Sequence, residues 1–140
     1  MKLVLKSLAV VATFSAILPT AVMAFQAINT LQVNKIDQNT FEVIGRPGAM
    51  KDDYWCGAGD YLRRELRLPW KTKIYVVSGI GRGVTTGAKS AVRFTLSLEA
   101  HGIEPYEKSW VGDVLTVGYG RSVTAAFHHC DRRIINSFWF

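Results

Sequence analysis

Beyond residue 24 the 140-residue chain holds no apolar run of the ~20 residues that a membrane-spanning helix needs, so that part offers no candidate span. Cysteine is scarce. With two residues, only one intramolecular bridge is possible. No dense basic stripe is present. The 17 Lys and Arg residues are scattered, Arg63-Arg64 and Arg132-Arg133 being the only tight pairs, which argues against a nucleic-acid binder. Each pair reads as a solvated face. No internal repeat, low-complexity block or linker divides the chain, and no cysteine lies near residue 24 to take a lipid anchor.

What is present begins at the N-terminus. Lys2 and Lys6 precede an apolar run from Leu8 to Leu18, and Ala21-Val22-Met23-Ala24 follows. A positive start, a short apolar stretch and a small-residue cleavage site are the three parts of a secretory signal peptide. Cleavage after Ala24 leaves residues 25–140 as a single small domain and lowers the net charge from +6 to +4. An uncleaved N-terminal anchor is the alternative. The expected address is the periplasm or the medium. The residual positive charge favours an anionic envelope component or an acidic protein as partner.

An oxidising compartment changes how the cysteines read. Cys56 and Cys130 are both in the expected mature part, and an even count in an exported chain points first to a disulfide. That bridge would tie an early helix to the C-terminal segment.

The fold class expected is α+β: one main helix on an antiparallel sheet of about four strands, with a short C-terminal helix. Phe25 to Asn39 is polar and mixed and reads as a leader. Phe41 to Ile44, Lys73 to Ser78, Ala91 to Glu99 and Val114 to Gly118 read as strands from their β-branched, aromatic or alternating residues. Gly79 to Ser90 and residues 100–111 read as connections. Asp52 or Asp53 is placed to N-cap a helix, and Trp55, Ala58, Gly59, Leu62 and Leu66 share one helical face until Pro69 ends it. Gly57 and Gly59 each cost about 1 kcal/mol there against alanine. Either the segment bearing Cys130 approaches closely or the helix starts late. Val123, Ala126, Phe127 and Cys130 fit a helix with one more match than a strand.

Four patterns raise chemistry. Gly83 to Ser90 (Gly-Val-Thr-Thr-Gly-Ala-Lys-Ser) resembles a phosphate loop, but Ala88 replaces the second glycine and a strand follows instead of a helix. The loop would still present Arg82 and Lys89 to an anionic ligand. Cys56 near a helix start, with His128 or His129 downstream, raises a thiol hydrolase in which an imidazole activates a thiolate. Cell-wall peptidases of the NlpC/P60 type are similar in this order. Their Asp-Cys signature is absent, since Trp55 precedes Cys56, and Cys130 would consume the thiol. His128-His129-Cys130-Asp131 offers ligand atoms, but adjacent residues rarely hold one metal ion together, so no metal site is assigned. Phe138-Trp139-Phe140 ends the chain with an aromatic tail. A transmembrane barrel needs at least eight strands, so the tail is expected to pack on the domain or to offer an apolar tip.

The run Asp53 to Tyr61, with Ile74-Tyr75-Val76-Val77 and Ser90 to Thr95, resembles a set of small exported Gram-negative proteins of unknown function. That resemblance implies structural roles for Trp55 and Cys56 and brings no activity or cofactor. The expected function is therefore a non-catalytic exported or envelope binding domain without a cofactor. The alternatives are a thiol hydrolase, and a membrane- or cell-wall-surface protein using basic residues and the aromatic tail.

Overall fold

A computed structural model describes residues 24–107 and 113–137. The expected signal peptide up to Met23, the aromatic tail Phe138-Trp139-Phe140 and the end of the expected 100–111 loop lie outside them. Among the described residues six strands and two helices form an α+β fold. The strands are β1 (Phe25–Gln26), β2 (Gln32–Lys35), β3 (Thr40–Ile44), β4 (Lys73–Gly81), β5 (Ala91–Thr95) and β6 (Gly120–Ser122). The helices are α1 (Lys51–Asp60), continued by a π-helical turn over Tyr61–Glu65, and α2 (Val123–Ser137). The sheet order is β1-β2-β3-β5-β4-β6, every pair antiparallel.

Three of the expected strands are present as β3, β4 and β5, although β5 stops at Thr95 and β4 runs on to Gly81. The expected leader instead carries β1 and β2. Its buried Ala27, Leu31 and Val33 were hidden among polar neighbours. Val33 pairs with Val43, which pairs in turn with Val92, so one row of β-branched residues crosses three strands. Val114 to Gly118 is not a strand. Asp113 accepts from the Leu115 amide at 3.2 Å, Thr116 Oγ1 accepts from the Asp113 amide at 3.1 Å, and Gly118 takes φ 85°. These local bonds compete with ladder pairing and turn the chain. The strand comes just after, as β6 against Lys73 to Tyr75.

Helix α1 starts two or three residues earlier than a cap at Asp52 or Asp53 would place it. Met50 occupies the cap position, and the Asp53 carboxylate reaches back to its amide at 2.7 Å. Asp53 thus acts from the third helical position, as in a capping box. The helix is buried on nearly every side, not along one stripe, because the sheet lies against one flank and α2 against another. Its core partners are aromatic: Trp55 meets Phe94 edge-on at 5.0 Å, and Phe41 stacks on Phe94 at 5.7 Å. The left-handed residue Arg67 (φ 53°) ends the helical stretch before Pro69.

The two helical glycines have separate causes. A Cβ on Gly57 would meet Val43 Cγ1 of the sheet at 2.9 Å. A Cβ on Gly59 would lie 2.5 Å from the Phe127 backbone nitrogen. The close approach expected near Cys130 therefore exists, and Gly59 permits it. On a free helix Gly→Ala gains about 1 kcal/mol. Here the sign reverses. Gly59→Ala is expected to lower stability by about 1–3 kcal/mol, because α2 must retreat. Urea unfolding of the purified variant checks this, and a stabilised variant would contradict the packing.

Where α1 and α2 meet, Cys56 and Cys130 form a disulfide with Cα atoms 4.8 Å apart. Both residues are buried. Ser122 Oγ accepts from the Ala125 amide at 3.2 Å and caps α2. The next amides, Val123 and Thr124, donate to the Thr72 and Trp70 carbonyls at 2.9 and 3.1 Å. The start of α2 is thereby tied to the segment that follows α1.

Candidate functional site

The four consecutive residues that suggested ligand chemistry, His128 to Asp131, point three ways, because successive residues on a helix are about 100° apart. Cys130 turns inward to Cys56. His129 faces Asp52 of α1 and Arg121 of β6. His128 turns outward, to a surface groove with Asp131. Cys56 is 1% exposed and bonded to Cys130, so among the described residues no free thiol stands beside either histidine.

The phosphate-loop look-alike is occupied from within. Glu42, at the centre of β3, is fully buried. Its carboxylate accepts from the Val84 and Thr85 amides, each at 2.8 Å, and from the Thr85 hydroxyl. Asn34 donates to the same hydroxyl at 2.8 Å. The glycine at 83 lets the loop sit this close, since a Cβ there would lie 3.3 Å from both Glu42 Oε1 and Ala91. These amides form an anion-binding concavity of the kind that cradles phosphate, and Glu42 fills it. Arg82 and Lys89 stay exposed on the loop. Arg82 Nη1 reaches the Gly87 carbonyl at 3.4 Å.

Other ionisable groups are likewise committed to the fold. Buried Asp60 accepts from the Ile28 amide at 2.7 Å and takes Arg64 in a two-point pair at 2.5 Å. That hydrogen bond raises the Arg64 pKa. Lys51 pairs with Asp113 and holds its carboxyl below the usual aspartate range. Asp37 is also held low, mainly by the Asn39 amide, and it closes the β2–β3 hairpin. His101 Nε2 lies 2.9 Å from Thr40 Oγ1 beside that hairpin. A cavity of about 30 Å³ there, lined by Tyr61, Thr40 and Leu96, has room for about a water molecule. Burial raises the Tyr61 hydroxyl's pKa, with Glu65 adding to the effect.

Among the described residues, a surface groove has the size of a ligand site. The groove is open to the surface, is lined by Trp70, Thr124, Phe127, His128 and Asp131, and has a volume of about 520 Å³. Trp70 and Phe127 form its floor, edge to face at 5.5 Å. Arg63 lies over the Trp70 ring at 4.3 Å and donates to the Leu68 carbonyl at 3.0 Å, so the indole is braced. The Trp70 carbonyl accepts from the Thr124 amide and hydroxyl at 3.1 and 3.0 Å. Trp70 is nonetheless 40% exposed. No family model, curated protein or solved structure matches this chain. The groove's chemistry therefore rests on its own residues.

Sequence reasoning groups His128 with Asp131 but does not connect them with Trp70 and Phe127. The one available signal was an aromatic residue immediately after a helix-ending proline, Pro69-Trp70. Nothing local connects it with a helix more than fifty residues further along.

Proposed function

We propose that this protein is an exported, non-catalytic binding domain and that the Trp70 groove receives its ligand. The observation that carries the reading is an exposed, braced indole in a concavity of about 520 Å³, within the volume range of small-molecule sites. The floor is aromatic and suits the apolar face of a ring. Around it stand a carboxylate (Asp131), an imidazole (His128) and a hydroxyl (Thr124). Such a mixed set of donors and acceptors matches hydroxyl groups, which both give and take hydrogen bonds. A hydroxylated ring of an envelope polymer fits this description. Asp131 disfavours a densely anionic partner, so the ligand inferred here is less charged than the chain's net charge alone suggested.

A sedimentation assay with purified peptidoglycan sacculi tests the reading. The wild-type domain is expected to co-sediment, and Trp70→Ala to lower retention about tenfold or more, as for an aromatic anchor at a binding hot spot. Equal retention of Trp70→Ala and wild type would overturn the assignment of the groove. Absence of retention for both would overturn the ligand class.

A further inference from the structure

On the opposite side of α2 from the groove, an imidazole sits between two opposite charges. His129 Nε2 contacts Arg121 Nη1 of β6, and its Nδ1 lies 3.2 Å from Asp52 Oδ1 of α1. Arginine has no lone pair to offer and stays charged. The contact with Nε2 therefore makes that nitrogen the acceptor. A neutral ring then carries its proton on Nδ1, beside the Asp52 carboxylate. The His129 side chain is 13% exposed, whereas that of Asp52 is 44% exposed. Arg121 is further held by the Trp55 and Tyr119 rings, 5.3 and 5.5 Å from its guanidinium carbon. Its Nε is buried without a hydrogen-bond partner among the described residues, so His129 is the hydrogen-bond acceptor described for this cation.

We infer that His129 is a pH-sensitive latch joining α1, β6 and α2, closed when the imidazole is neutral and opened when it takes a proton. Protonation removes the lone pair on Nε2, turns that nitrogen into a donor and sets two cations against each other. The Arg121 contact does not survive this change. Asp52 opposes it by attracting the imidazolium, but through its more exposed carboxylate, where water weakens the attraction. Among the described side chains, the other charged groups of α1 and α2 have further neighbours of their own. On α1, Lys51 pairs with Asp113. On α2, His128 and Asp131 line the outer groove. The disulfide at Cys130 keeps α2 on α1 whatever the state of the latch, so the element released is β6 with Arg121. Imidazoles titrate between about pH 5 and 8, which sets the window in which the device works.

Two measurements on the full domain test the latch. Nitrogen-15 NMR of the histidine rings at pH 7.5 is expected to find His129 as the Nδ1–H tautomer. An Nε2–H tautomer would overturn the proposal outright, and this reading needs no variant. The second compares thermal unfolding from pH 8 to pH 5 for wild type, His129→Gln and His128→Gln. Glutamine keeps an acceptor for Arg121 and does not titrate. Wild type and His128→Gln are expected to lose about 4 °C more than His129→Gln over that range, the shift of roughly one broken contact in a domain of this size. Parallel pH profiles for wild type and His129→Gln would overturn it.

Discussion

Replacing Cys56 and Cys130 together by alanine is expected to lower the unfolding free energy by about 4 kcal/mol. The bridge closes a loop of sequence separation 74, and restricting the unfolded chain over such a loop is worth about that much in the loop-closure account. Domains of this size have a total stability of about 5–15 kcal/mol, so the variant is brought near the limit of folding. The Cα separation of 4.8 Å is within the ordinary disulfide range, and both residues sit in the contact between α1 and α2. The alanines also remove two buried sulfur atoms, which adds to the loss. Urea unfolding of the oxidised protein and the double variant measures the difference. A loss below about 1 kcal/mol would contradict the role given to the bridge. Thiol titration of the denatured, unreduced protein is expected to find no reactive group.

The staple also explains how one short run serves three purposes. With Cys130 fixed to Cys56, the rotation of α2 about its own axis is set. His129 then falls on the α1–β6 side and His128 on the groove side. The same residues read as a metal-binding cluster only while their helical directions are ignored.

How much of this was legible in the sequence depended on whether a feature is local. The cysteine pair, β3, β4, β5 and the helical face of Val123, Ala126 and Cys130 each carry their own signal in spacing or residue type. Strand β6 does not. Gly120-Arg121-Ser122 has little intrinsic strand preference, and it is extended because Lys73 to Tyr75 pairs with it. A side chain on Gly120 would meet the Tyr75 ring at 2.5 Å, so the glycine serves the pairing. The groove was hidden for a similar reason. Trp70 reaches Phe127 because the Thr124 amide and hydroxyl hold its carbonyl, a tertiary bond with no trace in local composition. The latch needs α1, β6 and α2 assembled before its three side chains meet.

The glycine-rich loop is more instructive. Its sequence does build an anion nest, but the anion comes from the protein's own β3. Glu42→Ala is therefore expected to cost about 3 kcal/mol, since buried donors that lose an acceptor cost about 1–3 kcal/mol each and the loop recovers part by opening to water. Two amides and a hydroxyl lose their partner in this variant. Glu42→Gln keeps one acceptor oxygen and turns an amide NH₂ toward the other donor, so its cost falls between wild type and alanine. The effect should be visible locally as well as globally. Hydrogen exchange at Val84 and Thr85 is expected to accelerate in Glu42→Ala while the β3–β5 ladder away from residue 42 stays protected. Acetate is expected to restore part of the lost stability to Glu42→Ala and none to wild type, because only the variant leaves the nest open to an outside carboxylate. Unchanged exchange at Val84 and Thr85, with a cost below about 1 kcal/mol, would mean that the loop is held by other contacts. Arg82 and Lys89 at its surface would then be a better guide to its purpose than the buried carboxylate beneath it.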